Sequence, residues 1–512
     1  MNLRFYNTRT QRVEDFSPRD PADVTLYLCG LTTYDFAHAG HARTNVSFDT
    51  LVRHLRARGY GVRFCRNVTD VDDKILNRAR ERGEDPLELS ARMSALCDAD
   101  LAAIGCQQPD IEPRVSTHIP QIVALVQKLI DNGYAYELAT EVGTDVYFAV
   151  RKFEAYGKLS RHKLDDLRAG ARIEKSDAKR DPLDFALWKA SAADALGWDS
   201  PWGRGRPGWH IECSAMAEAH LGPHLDVHCG GMDLIFPHHE NEIAQSEAVH
   251  GPEFANFWMH GGFLEVDSEK MSKSLGNFVT IRDVLARNDA EAFRFFLLGT
   301  HYRGPLNFDL EQKDGRVRFL GIDEAERRIE YMYNAFVSVQ DLAGGAEPHD
   351  DKALLAHKQI GPHAKVGIEA YERVLAALDQ DLNTAVALAV LGEVAKSANE
   401  IALLVQKALR KDEAGKKLAF AAAARVHRAF TDIGAVLGLF RATPEEFFTR
   451  TLERRLRIRE LEASLIEAKI AERKAARDAK EWARADQTRD ELLALGVELM
   501  DGADGTSYRV LL

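Results

Sequence analysis

The sequence has no run of 18 or more apolar residues, so no membrane-spanning helix is expected. Its first residues, Met1-Asn2-Leu3-Arg4-Phe5, lack the apolar core of a signal peptide. Cysteine is scarce, with 6 in 512 residues, which excludes a disulfide scaffold and points to a reducing cytoplasm, where Cys and His together more often mean metal. No G-x-x-x-x-G-K-[ST] occurs, so a P-loop ATPase is not expected. There is no fixed-period repeat and no low-complexity tract. A net charge of -12 argues against indiscriminate nucleic-acid binding at long range, while leaving room for a local basic face.

What is present is ordinary soluble-protein composition, 45% hydrophobic and 29% charged, in a chain too long for one core; two to four domains are expected. Residues 25–32 read as a short buried strand ended by Gly30. A helix over about Ala42–Arg58 follows, with Val46, Phe48, Leu51, Val52 and Leu55 on one face, then a strand Val62–Cys65. Strand, helix, strand is a parallel βαβ unit, which places Cys29 at a strand's carboxyl end, where such sheets bind ligands. Residues 116–204 read as an insertion with strands at Val146–Val150 and Phe185–Trp188. The parallel pattern resumes over Asp226–Phe263. Beyond Val317 the period is helical, including Leu354–Ala377 and one long helix Leu452–Leu495, with a loop at Leu342–Pro348.

Gly203-Arg204-Gly205-Arg206-Pro207-Gly208 fits G-x-G-x-x-G but is interrupted by Pro207, and reads as a Gly-rich loop. His38-Ala39-Gly40-His41 lies at the strand-to-helix turn. Two imidazoles three apart project together beside exposed N–H groups that favour phosphate, and Gly40 admits a flat ligand. Alone, the four residues are better read as surface or capping histidines. Lys270-Met271-Ser272-Lys273-Ser274 makes a cationic loop able to clamp a polyphosphate; the alternative is an ordinary solvated loop, and the histidine pair favours the clamp. Cys29, Cys213, His238 and Glu242 offer a zinc-type donor set, the last two spaced four apart on one helical face. His228, Cys229 and His239 are rivals that spacing does not dismiss, and free cysteines are commonly plain core residues. Gly230-Gly231-Met232-Asp233 could receive a ribose, though alone it reads better as a tight turn with an Asp cap. Near the C-terminus, Arg454, Arg455, Arg457, Arg459, Arg473, Lys474, Arg477, Lys480 and Arg484 are interleaved with acids, as on a solvated helix. Trp482 and Tyr508 offer stacking surfaces for unpaired bases.

Taken together, the histidine tetrapeptide and the Lys-Met-Ser-Lys-Ser segment, in this order, resemble the signatures of class I aminoacyl-tRNA synthetases. The match is closest to the cysteinyl-tRNA synthetase family. It is carried by Tyr27-Leu28-Cys29-Gly30 with Tyr34-Asp35, Asp184–Lys189, Gly208–Met216 and Phe236–Gln245, and by Ala485-Asp486, Arg489–Leu492 and Gly505-Thr506 at the C-terminal end. The resemblance implies an α/β fold. A Rossmann-type catalytic domain (1–115 and 205–262) is split by an acceptor-end insertion (116–204). A connecting region (263–318), an all-α helical bundle (319–440) and a small anticodon-binding domain (441–512) follow.

It implies ATP-dependent ligation of L-cysteine to tRNA(Cys) through a cysteinyl-adenylate. One zinc ion would be held by Cys29, Cys213, His238 and Glu242, and Mg2+ would accompany ATP. His38, His41, Lys270 and Lys273 would be catalytic; His38, Gly40, His41, Gly231, Asp233 and Lys273 would contact ATP; Cys29, Thr32 and Trp209 would contact cysteine. A cytoplasmic monomer is expected. Leu31, Thr33, Ala39, Cys229 and Tyr508 depart from the family's usual Pro, Val, larger aliphatic, Gly and Trp. Two further readings are a cysteine ligase acting on an amino-sugar acceptor and a catalytically idle tRNA-binding paralogue. A zinc-held thiolate answers the chemical problem of the reaction, since shape alone separates cysteine from serine weakly.

Overall fold

The computed structural model describes residues 3–162, 179–266, 269–270, 278–313, 316–502 and 505–511. A short hairpin, β1 (Arg4–Asn7) and β2 (Arg12–Asp15), precedes β3 (Val24–Leu28), α1 (Ala39–Ala57) and β4 (Val62–Arg66). Every residue of β3 is buried, as expected of a strand covered on both faces, and its one hydroxyl-bearing aliphatic residue, Thr25, donates to Asp226 at 2.9 Å. Helices α2 (Asp73–Arg82), α3 (Pro86–Ala103) and α4 (Ile119–Asp131) lead to an antiparallel sheet, β5 (Ala135–Ala139), β6 (Thr144–Phe148), β7 (Phe185–Ala190) and β8 (Gly205–Pro207). Then come α5 (Trp209–Leu221), β9 (Leu225–Gly231), α6 (Glu240–His250) and β10 (Ala255–Gly261).

The central sheet has the order β10-β9-β3-β4, with all neighbours parallel. The chain steps outward from β3 to β4 on one side and from β9 to β10 on the other. The strand order therefore reverses between β3 and β9, and a crevice opens at their carboxyl ends. Cys29, the first residue past β3, donates its N–H to the Cys229 carbonyl at 3.1 Å. One apolar cluster joins this sheet to the insertion, from Tyr27 and Trp258 through Ile211 and Ile243 to Phe148, Leu187 and Trp188. Burial of an isoleucine such as Ile211 or Ile243 contributes roughly 1.5–3 kcal/mol, so α5 and α6 are held firmly beneath the crevice. The far end of α1 is fixed by His54 and Arg58 on the Asp379 carboxylate, at 3.0 Å and 2.6 Å. Burial acts to raise that carboxyl, but the two partners win and hold it below its ordinary range.

These elements belong to one unit, residues 1–281, 297–307 and 372–389; the second unit takes 282–296, 308–371 and 390–512. The second unit is built from helices, among them Leu320–Gly344, Asp351–Ala356, Glu413–Leu437 and Pro444–Arg459. It closes with helices Ala463–Asp478 and Trp482–Ala494 and an antiparallel hairpin Val497–Gly502/Gly505–Val510, around Ile466, Leu492, Val497, Leu499 and Val510.

Several local expectations are corrected. Leu452–Leu495 is not one helix. Glu460 turns left-handed (φ 56°) and ends the first helix, and Lys480 (φ 61°) follows the second. Leu354–Ala377 is two helices, since the chain breaks after Ala356 and restarts at Gly361. The helix expected to stop before Leu342 runs on to Gly344. Gly205–Pro207 is a short strand, not a loop. Pro207 is tolerated there because β8 is an edge strand and needs no N–H on its open side.

Candidate active site

The crevice collects side chains from four elements. Cys29 follows β3, Cys213 lies on α5, His238 lies in the turn Ile235–His239 and Glu242 lies on α6. Cys29 Sγ is 3.7 Å from Cys213 Sγ and 3.4 Å from Glu242 Oε1, and His238 Nε2 is 3.1 Å from the same oxygen. A tetrahedral zinc with bonds of about 2.3 Å to sulfur separates its two sulfurs by about 3.8 Å, so the donor set fits such an ion in type and spacing. A second set, Cys29, His228, His239 and Glu242, is equally close-knit. It carries one thiol instead of two. His228 Nε2 holds the other oxygen of Glu242 at 2.9 Å, and His239 Nδ1 is paired with His260 Nε2 at 2.8 Å. In these contacts His228 and His239 orient their neighbours.

The electrostatics follow from burial and contact. The hydrogen bond from Cys29 draws the Cys213 thiol down to about 6, with His238 assisting and burial opposing. Burial, more than any other influence, pushes the Cys29 thiol up. Burial would lower His238, but Glu242 and Cys213 outweigh it and raise the imidazole to about 10. Burial would raise Glu242, yet His228 and His238 hold it well below the usual carboxylate range. Without a metal, Cys213 and Glu242 carry the negative charge of the cluster, while Cys29 and His238 keep protons that they would give up on binding one.

At the other end of the crevice His38 caps α1. Its Nδ1 accepts from the His41 N–H at 3.2 Å, the His41 Nδ1 accepts from the His38 N–H at 3.4 Å, and the rings stack at 3.5 Å. This reciprocal cap turns both imidazoles to one side of a helix N-terminus. The chain emerging after the Lys-Met-Ser-Lys-Ser segment is stitched to the same place. Ala39 N donates to Val279 O and Ile281 N to Ala37 O, both at 2.9 Å, and the Phe278 ring edge meets His38. Of that segment, the Lys270 backbone pairs with Glu265, whereas Lys273 lies outside the described residues.

Trp209 begins α5 and stacks on His238 at 4.5 Å with its outer edge exposed. Thr32 pairs with Thr69 across the loops that leave β3 and β4. Gly231 ends β9, and the exposed Asp233 follows it. Gly30 admits no side chain, since a Cβ would lie 1.5 Å from the Asn67 carbonyl oxygen. Gly230 admits none either, its Cβ falling 2.7 Å from the His239 ring. Cys229, beside it, is fully buried, and its carbonyl accepts from Cys29 N–H. Leu31 and Thr33 are buried as well, and Thr33 Oγ1 donates to the Thr69 carbonyl.

Two neighbours were not singled out from the sequence. Asn67 Oδ1 accepts from Gly30 N at 2.8 Å and approaches Cys213 Sγ at 3.7 Å. Its signal was register: Leu28 pairs with Arg66, so Cys29 and Asn67 are equivalent first residues past adjacent strands. His210, three before Cys213, lies 3.1 Å from His238 through their Nδ1 atoms and is lowered well below its ordinary value, chiefly by burial.

Comparison with known proteins adds an independent finding. The model described as "tRNA synthetases class I (C) catalytic domain" matches residues 15–314, and a DALR domain matches 373–441. A cysteine–tRNA ligase of Anaeromyxobacter dehalogenans (strain 2CP-C) is 50% identical over 515 residues, covering 100% of both chains. One from Chromohalobacter salexigens is 46% identical over 508 residues, covering 99% of both. Among solved structures, Mycobacterium tuberculosis methionyl-tRNA synthetase with methionyl-adenylate shares the fold at TM-score 0.58 and 18% identity, covering 81% of this chain and 92% of its own. A leucyl-tRNA synthetase ternary complex from Agrobacterium radiobacter K84 does so at TM-score 0.56 and 12% identity, covering 83% and 85%.

Proposed function

The chain belongs to the cysteine–tRNA ligase family of class I aminoacyl-tRNA synthetases, and on that premise we propose how its residues divide the work. The enzyme ligates L-cysteine to tRNA at the expense of ATP. An amino-sugar ligase and an idle paralogue find no support, since the relatives match the chain through its C-terminal end. No helix among the described residues is long and apolar enough to cross a membrane.

In our reading Cys29, Cys213, His238 and Glu242 hold one zinc ion, His228 and His239 acting as supports for Glu242 and His260. The observation that carries this is the pair of sulfurs 3.7 Å apart within reach of both His238 and Glu242. When bound, zinc supplies an open position that prefers the substrate thiolate to a serine hydroxyl. Trp209 and Thr32 border the amino acid. His38, His41 and Gly40, at the positive end of α1, cradle the ATP phosphates, which arrive with Mg2+, and Gly231 and Asp233 receive the ribose. The cysteine carboxylate then attacks the α-phosphorus in line, forming the adenylate as pyrophosphate leaves. Lys273, with Lys270, stabilises the charge that develops on the phosphates. A hydroxyl of the terminal tRNA ribose next attacks the activated carbonyl, and AMP departs.

The domains divide accordingly. Residues 116–204 receive the acceptor end, and the C-terminal end reads the anticodon of tRNA(Cys). The enzyme works as a cytoplasmic monomer. Cysteine-dependent ATP–pyrophosphate exchange, measured with the zinc content of the same preparation, tests the reading. Exchange with one zinc per chain is expected; exchange at full rate by protein holding no zinc overturns the metal assignment.

A further inference from the structure

Arg43 follows His41 closely on α1 and is 1% exposed. Its guanidinium is spent on backbone carbonyls. Nη2 donates to the His301 carbonyl at 3.2 Å and to the Gly304 carbonyl. Nε and Nη1 are buried and find no hydrogen-bond partner among the described residues. Burial lowers the group to about 10, with no carboxylate opposing. A buried cation with no counter-charge and with stranded N–H groups works against folding, and an apolar side chain of similar volume commonly fills such a place without loss. The two carbonyls belong to half-buried residues, so water can take them over. Stability alone therefore gives no reason for an arginine here.

What Arg43 grips is the root of the strand that leads to Lys270. A Cβ on Gly262 would lie 2.4 Å from the same Gly304 oxygen, so the two backbones touch where the guanidinium holds one of them. Gly262 N donates to the Tyr302 carbonyl at 2.7 Å, and Leu306 N donates to the Phe263 carbonyl at 3.0 Å. From there the chain runs into β11 (Leu264–Val266), which pairs antiparallel with β12 (Glu269–Lys270), Glu265 opposite Lys270. Where it is next described, the chain is back at α1, through the bonds that join Val279 to Ala39 and Ile281 to Ala37. Both ends of the stretch that carries Lys-Met-Ser-Lys-Ser are thus fixed against the helix of the histidine pair. The return uses backbone bonds, which any sequence offers, whereas the departure depends on a side chain. All of these residues lie within the first unit.

We infer that Arg43 is a positioning residue for adenylate formation. By holding the turn 301–304 against α1, it sets where the strand to Lys270 departs relative to His38 and His41. The inference rests on the reading that Lys270 and Lys273 stabilise charge on the phosphates. Buried as it is, the side chain acts through Lys270, so its loss is felt in the rate of the step and not in substrate binding.

The test uses full-length, zinc-loaded protein, with cysteine-dependent ATP–pyrophosphate exchange and the thermal unfolding midpoint measured on the same preparation. Arg43→Met should lower the exchange kcat by at least about ten-fold, hold KM for ATP and for cysteine within about two-fold, and unfold no earlier than wild type. Arg43→Lys keeps the charge but not the planar fork, and its kcat should fall between the two. Lys270→Ala should be slow by itself, and Arg43→Met combined with Lys270→Ala should be no slower, since the arginine acts through the lysine. Wild-type kcat in Arg43→Met, or a double variant slowed by the full extent of both single effects, overturns the inference. A midpoint that falls together with kcat, or an Arg43→Met chain that does not fold, makes Arg43 a plain structural support and overturns it too. Wild-type exchange by Lys270→Ala overturns the role given to Lys270 and the inference with it, whereas a slow Lys270→Ala beside a wild-type Arg43→Met overturns the inference alone.

Discussion

At the scale of single residues, the account turns on how few side chains separate a thiol from a hydroxyl. Of the four proposed ligands Cys213 is the one whose loss is most informative, because Cys29 is also proposed to contact the substrate. Cys213→Ser should lose zinc and cysteine affinity together, by elemental analysis and by the KM for cysteine in exchange. His239→Ala should keep its zinc, and a variant that lost zinc while His238→Ala kept it would reverse the ligand assignment.

His260 carries a pH prediction. Burial holds its imidazole down to about 3, so the folded protein keeps it neutral. Unfolded, it takes a proton near pH 6.5, so the unfolded state binds more protons below that value and stability falls with falling pH until about 3. The loss is at most about 1.4 kcal/mol per pH unit for one such group. Chemical denaturation at pH 7 and pH 5 should therefore show a smaller difference for His260→Gln than for wild type. An unchanged difference would mean that the buried imidazole is protonated after all.

At the scale of elements, the βαβ unit and the histidine turn were legible because one pattern served both packing and chemistry. Residues 25–32 read as a strand ended by Gly30, and the strand found, Val24–Leu28, ends one residue before Cys29. The breaks in the C-terminal run were not legible, since neither Gly nor Pro marks them. Glu460 takes a left-handed conformation that glycine adopts at less cost. Glu460→Gly should then stabilise this helix end by roughly 0.5–1 kcal/mol. Slower hydrogen exchange in the flanking turns would show it, and faster exchange would contradict it. The donor set was legible as residue types and His238 was named through the family resemblance, but spacing alone did not separate it from His239, because adjacent histidines have the same composition and differ only in direction. Asn67 was hidden for a similar reason: strand register, not residue type, brings it to Cys29. The role proposed for Lys273, to stabilise the charge that develops on the phosphates, is tested at this scale too. Lys273→Ala should depress adenylate formation far more than ground-state ATP affinity, and equal losses would make it a simple binding residue.

At the scale of the whole molecule, chemistry and tRNA selection are separable in principle, and Arg454 and Arg455, buried against Glu326 instead of standing on a solvated helix, say where to cut. Removing 441–512 would leave Glu326 and Asp289 as buried, unpaired carboxylates. Removing 461–512 spares those pairs and takes away the helices and hairpin that carry the exposed Trp482 and the Tyr508 depression beside Ile470 and Lys474. A folded truncation should retain cysteine-dependent exchange and lose most of its charging efficiency and anticodon preference. Wild-type charging would return that end to a structural role.

The central claim is that this chain joins cysteine, and not serine, to tRNA because a thiolate-selecting centre stands at the crevice between β3 and β9. The most direct measurement is charging of purified tRNA(Cys) by zinc-loaded enzyme with cysteine and with serine, compared as kcat/KM. The account predicts efficient charging with cysteine and a discrimination against serine far above the roughly 10–200-fold that shape alone supplies. Comparable charging with both amino acids, or none with cysteine by protein that holds its zinc, would contradict it.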